Sequence, residues 1–360
     1  MAMTSRHTPP PVQLTSPPDV IGAIPSLVGF HPSESVVLVC MHGARNRIGL
    51  VLRVDLPESE GYAEYVDDLS DRVSRTGADR VIVVCFTTET FADARLPRQD
   101  LIAQLHEGLA RRDIDRMESL LVRDDWWWSY TCTEPCCPPS GTPLPRSPSS
   151  TVTEVEARCV LDGHAILANR EELERSVQGP GSVRRAILQG RADEIGDQMV
   201  DRIRDRGLDH VRAETLGTAR AMCERFVRGD HEIDDDEAVR VLVGILDKGA
   251  RDPLLTWGME YGFENVLPFM TALCQRAVDE IAVPICAVLA GVAYQHGNGA
   301  LAAVALERAL RIEPDNTLAG LLRTLLDGQV PPAEIRAVTR RLRDDLGDSA
   351  APSGDRPAIA

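Results

Sequence analysis

Residues 135–151, PCCPPSGTPLPRSPSST, carry six prolines, and a backbone missing so many amide donors supports neither a helix nor an inner strand. The segment reads as a loop or linker, and the hydrophobic pattern changes character across it. Upstream, apolar runs with strand character alternate with helical stripes. Downstream, the strand signal nearly vanishes. The chain, at 360 residues, is long enough for two domains. The pattern predicts an α/β domain over 16–150, a mixed sheet flanked by helices, followed by an all-α domain over 151–346. Polar ends over 1–15 and 347–360 are expected to be a disordered arm and tail.

The upstream half gives specific expectations. In SPPDVIGAIPSLVGF, Ser16 is placed to cap a short helix with Pro17 at its first position. SESVVLVCMHG and RIGLVLRVDL follow around a glycine-containing turn, with Ile48, Leu50, Leu52 and Val54 at alternate positions, so they predict a β-hairpin. Tyr65, Val66, Leu69 and Val73 form a helical stripe that stops at Gly77 and hands over to the buried strand DRVIVVCF. Leu101, Ile102, Leu105 and Leu109 repeat the pattern, and MESLLVRDDWWWSYT supplies one more strand.

Downstream, helical periodicity appears at roughly 153–160, 169–176, 182–206 and 211–228, with Gly207 and Gly229 as stops. Asp234–Glu237 lack the ligand spacing and central glycine of a calcium loop and read as an acidic helix start. Residues 283–316 follow a tetratricopeptide-like pattern. Leu289 and Ala290 take the apolar and small sites of a first helix, Tyr294 lies near its end, and Gly297 makes the turn. Ala302 and Ala309 permit close approach of the second helix, Leu306 fills the large slot, and Pro314 stops it.

Composition narrows the function classes. A net charge of −16 repels phosphate backbones and anionic lipid, so neither nucleic acid nor membrane is expected as a partner. No apolar run reaches bilayer length, and the start lacks the pattern of a secretory signal, so a cytoplasmic protein is expected. Nine cysteines, an odd number with several inside apolar stripes, do not resemble a disulfide framework. No phosphate loop, strand-linked G-x-G-x-x-G, G-x-S-x-G or H-E-x-x-H is present.

What remains is a motif-bearing corner. Cys132 and Cys136 have the spacing of half a zinc site, Cys137 is an awkward third ligand, and His31, Cys159 and His164 are the candidates to complete a tetrahedron. Thiol exchange is a second option, opposed by Glu134 and by the prolines. A cysteine nucleophile with His31 as base is a third. On a strand, Trp126, Trp128 and Tyr130 share one face while Trp127 takes the other. Bulk on both faces predicts a central, covered strand; the alternative is an aromatic platform rimmed by Asp124 and Asp125. His31 reads equally as a turn residue bonded to backbone.

GFHPSES at 29–35, WWWSY at 126–130 and CTEPCCPPSGTP at 132–143, in this order and with the tetratricopeptide-like tail, resemble an actinobacterial domain-of-unknown-function family (DUF4192-like) from about Ser16 to about Leu346. Trp126 is a departure, a Trp-Trp-Ser-Tyr core being typical. The resemblance implies no activity, cofactor or catalytic residue. The residues themselves lead to two expectations. One is a non-catalytic cytoplasmic binding or adaptor protein that meets a protein partner through its helical domain. The other is an enzyme or metal-supported small-molecule site around His31, Trp126–Tyr130 and Cys132, Cys136 and Cys137, with zinc on Cys132 and Cys136.

Overall fold

The computed structural model describes residues 12–58, 62–91, 95–161, 163–164 and 166–349. Most of the arm expected over 1–15, and residues 350–360 of the expected tail, lie outside them. The chain divides into two compact units, Met1–Arg170 and Glu171–Ala360.

Unit 1 runs α1 (Pro17–Val28), β1 (Ser35–His42), β2 (Arg47–Asp55), α2 (Tyr62–Arg75), β3 (Arg80–Phe86), α3 (Gln99–Ala110), β4 (Asp115–Arg123), β5 (Trp126–Ser129), β6 (Thr142–Pro143) and α4 (Ser150–Leu161). Ser16 caps α1 by accepting the Asp19 amide, as its position before Pro17 predicts. The strands form one mixed sheet in the order β2-β1-β3-β4-β5-β6. β3 and β4 are parallel and joined through α3, while the other neighbouring pairs are antiparallel. The apolar run of β1 is buried on both faces. Val36, Leu38 and Cys40 face α2 and α3 through Val66, Leu69, Leu101 and Leu105, and Val37, Val39 and Met41 face α1 through Val20, Ile21 and Ile24.

Two features of unit 1 depart from the sequence pattern. The run MESLLVRDDWWWSYT is a tight hairpin rather than one strand. Asp124 and Asp125 adopt φ 47° and 64°, the left-handed pair that a two-residue turn needs and that aspartate tolerates better than most residues. The expected boundary near 150 falls inside unit 1, because α4 packs on α1. Ser149 donates to the Asp19 carboxylate at 2.7 Å, and Val152 lies 3.0 Å from where a Cβ on Gly22 would sit.

Unit 2 is all helical: α5 (Arg170–Ser176), α6 (Ser182–Arg206), α7 (Leu208–Val227), α8 (Asp235–Gly244), α9 (Lys248–Arg251), a 3-10 turn (Asp252–Thr256), α10 (Trp257–Tyr261), α11 (Phe263–Cys274), α12 (Asp279–His296), α13 (Gly299–Ile312), α14 (Thr317–Asp327) and α15 (Pro332–Ser349). The last three residues of α15 fall within the expected tail. The acidic run is the start of α8, where Asp234 accepts the Glu237 amide and Arg184, Arg191 and Arg225 pair with Asp235, Asp236 and Glu237.

α12 and α13 form a helical hairpin turned at Gly297, whose φ of 94° suits glycine. Leu289, Ala290, Ala302, Leu306 and Ala309 are buried in it. Tyr294 donates to the Leu325 and Val330 carbonyls at 2.9 and 2.6 Å, and Pro314 follows the end of α13. Nearly every side chain of α12 is buried, so this helix is the core of the unit and has no face open as a groove. Arg308 of α13, itself buried, donates to the carbonyls of Val177, Cys274 and Ala277 at 2.7, 2.7 and 2.6 Å. No helix among the described residues is long and apolar enough to cross a membrane.

Candidate thiolate metal site

The thiol cluster is built from the exit of β5. Register pairs Ser129 with Leu120, which brings the chain leaving β5 alongside Glu118 and Ser119 of β4. Ser119 receives the Tyr130 amide on its carbonyl at 2.8 Å. The Ser129 hydroxyl donates to a Glu118 carboxylate oxygen at 2.9 Å and accepts the amides of Thr131 and Cys132 at 3.2 and 2.9 Å. Thr131 and the Ser119 amide donate to the same Glu118 oxygen, at 3.3 and 2.9 Å. Cys132 therefore leaves the sheet on a fixed turn.

The loop returns through a second turn, in which the Cys137 amide donates to the Glu134 carbonyl at 2.8 Å. Trp128 anchors the loop beyond it. Its indole N–H donates to the Pro139 carbonyl at 3.2 Å, and Gly141, at φ 83°, lies so close that a Cβ there would come within 2.4 Å of the ring. The chain then rejoins the sheet as β6, paired with Trp126 and Trp127.

These turns bring three sulfurs together. Cys132 and Cys136 Sγ are 3.8 Å apart, Cys136 and Cys137 Sγ 4.0 Å, and all three lie within 4.8 Å of one another. A tetrahedral zinc with bonds of about 2.3 Å places its sulfurs about 3.8 Å apart, so the cluster has the span of three corners of such a site. Adjacent Cys136 and Cys137 both contribute because the Glu134–Cys137 turn carries their side chains to the same side. Cys136 is exposed, Cys132 and Cys137 are half-buried, and Cys137 packs on the α1-side core near Trp127. Burial, followed by contact with the other two thiols, pushes the Cys137 thiol up to about 12.

His31 does not join them. It precedes β1, whose first residue Ser35 is level with the end of β3, whereas Cys132 leaves β5 toward the start of β4. Three strand spacings, about 14 Å, also separate β1 from β5. His31 is exposed, and its amide donates to the Leu167 carbonyl at 3.1 Å, the backbone-bonded turn role. Among the described residues, neither His31, Cys159 nor His164 belongs to the sulfur group.

The aromatic run is split between environments. Trp127 is buried against α1, Trp128 and Tyr130 pack on the α2/α3 side, and Trp126 is 41% exposed. β5 is next to the sheet edge, not central, because only the two-residue β6 lies beyond it. Trp128 is edge-on to Phe91 at 5.1 Å, and Tyr130 donates to the Pro97 carbonyl at 2.7 Å. The tryptophans thus share no single platform face.

Sequence reasoning missed the neighbouring pair His106 and Ser119, 2.6 Å apart. Arg116, which can only donate, approaches His106 Nδ1 at 2.9 Å, so Nε2 carries the proton and donates to Ser119. Burial and then the Arg116 charge hold the ring down to about 4. Nε2 has no lone pair to accept the serine proton, so the pair is not arranged as a nucleophile and base.

A mixed α/β sheet displaying a three-thiol cluster near its edge, followed by an all-helical region, defines a two-part α/β-plus-helical protein. The chain belongs to the family described as Domain of unknown function (DUF4192), whose model matches residues 17–333. No curated protein and no solved structure matches it.

Proposed function

We propose that the protein is a non-catalytic, cytoplasmic binding protein whose α/β unit holds a thiophilic metal ion, zinc in the first instance, on Cys132, Cys136 and Cys137. The observation that carries this reading is the mutual approach of three sulfurs within 4.8 Å on turns held by Ser129, Glu118 and Trp128. Binding is favoured over catalysis because His31 is far from the thiols and His106 donates to Ser119. The test is equilibrium dialysis of the reduced, full-length protein against zinc. Close to one ion per chain is expected, and it is lost in Cys132→Ser/Cys136→Ser; equal retention by both proteins refutes the reading.

For the helical unit, the tetratricopeptide-like hairpin at 283–316 is read as a packing unit, supported by the all-round burial of α12. Any protein partner of this unit then meets its outer helices, not α12. The actinobacterial origin rests on the motif resemblance and on the single lysine, Lys248, beside many arginines.

A further inference from the structure

We infer that the fourth corner of the metal site is reserved for a small-molecule thiol, so that the ion is held by three thiolates of the chain and one from solution. This rests on the metal reading above. One set of geometric observations and two chemical arguments support it.

The first is geometric. Cys137 packs on the apolar core and Cys132 is fixed on the Ser129 turn, while Cys136 is exposed, so the cluster has a protein floor and a solvent-facing mouth. No fourth His, Cys, Asp or Glu joins the three sulfurs among the described residues. Pro135, Pro138 and Pro139 flank Cys136 and Cys137 in the chain and restrict its backbone there, and the Cys137 amide is already committed to Glu134.

The second is electronic. Three thiolates already more than neutralise a divalent ion, which lowers its Lewis acidity and makes it a weak activator of bound water. Sites with an open corner that do hydrolytic chemistry are built mainly from neutral histidines. An ion in an all-sulfur set is matched by a fourth soft donor.

The third concerns protons and charge. Uptake of a thiol replaces bound water: the S–H bond breaks, a metal–sulfur bond forms, water leaves, and the proton goes to solvent. No electron is transferred, so no oxidant or reductant is required. The step adds one negative charge at a mouth open to water, where screening is strongest.

Cobalt(II) is a spectroscopic stand-in for zinc here. The full-length protein is loaded with one equivalent of cobalt(II), kept reduced with a phosphine in place of a thiol, and titrated with 2-mercaptoethanol. Before thiol, near-ultraviolet sulfur-to-cobalt absorption corresponding to three bonds is expected. On titration it rises by about a third, saturates at one thiol per cobalt, and the visible bands stay tetrahedral. Absorption unchanged by thiol, or already at the four-sulfur level before it is added, overturns this inference and leaves the metal site standing. Absence of any sulfur-to-cobalt absorption overturns the metal reading itself, and this inference with it.

Discussion

The Ser129 hydroxyl accepts the backbone amide of Cys132 at 2.9 Å while donating to Glu118 at 2.9 Å, so the first sulfur of the proposed site is positioned by the strand it has just left. A side chain one step removed from a metal ligand typically sets 10–100-fold of affinity. Ser129→Ala is therefore expected to weaken zinc binding by roughly 10–100-fold with the ion still bound through sulfur, and Ser129→Thr to restore most of it. Chelator competition measures this. Unchanged affinity in Ser129→Ala contradicts the positioning role.

Zinc must displace the thiol protons. Cys137, pushed up to about 12, is protonated at neutral pH, so its proton is released when the ion binds. The apparent zinc affinity should rise by about tenfold per pH unit for each proton displaced, and proton release should be visible with an indicator dye. The metal-free fold has the opposite dependence at alkaline pH. The folded pKa lies above the ordinary value of 9.0, so the contribution of Cys137 is complete below pH 9 and is lost as pH rises toward about 12.

His106 produces an acid-side signature. Its folded pKa, about 4, lies below the ordinary 6.5, so between these values the unfolded chain binds a proton that the folded chain does not. Stability is expected to fall as pH drops from 6.5 toward 4, and His106→Gln, which keeps a donor toward Ser119, to flatten that slope. Urea midpoints across this range decide the matter; a slope that persists in the variant assigns it to other groups.

In the helical unit, Arg308 satisfies three buried carbonyls. Arg308→Met leaves them without donors and should cost about 3 kcal/mol or more, read as a lowered unfolding midpoint. Zinc binding by the native protein should be unchanged, because the thiol cluster belongs to the other unit. A neutral effect on stability shows that water replaces the guanidinium.

Where a local pattern decides the structure, the sequence is readable. The Ser16–Pro17 helix start, the burial of β3, and the small residues Ala302 and Ala309 follow from spacing and residue size. What escaped depends on pairing between distant residues. Asp124 and Asp125 lack the glycine that usually marks a two-residue turn, so β4 and β5 merged into one strand in the sequence reading. Without that hairpin, neither the Glu118–Ser129 contact nor the near-edge position of β5 is visible. The 136–137 adjacency made Cys137 an unpromising ligand, yet the turn at Glu134 brings it in, while His31, equally prominent as a motif, lies elsewhere.

Zinc-edge X-ray absorption of the reduced, zinc-loaded protein tests the central claim most directly. Three or four sulfurs at about 2.3 Å per ion are expected, falling by two in Cys132→Ser/Cys136→Ser if any ion is retained. A first shell of oxygen and nitrogen with one sulfur or none contradicts the account.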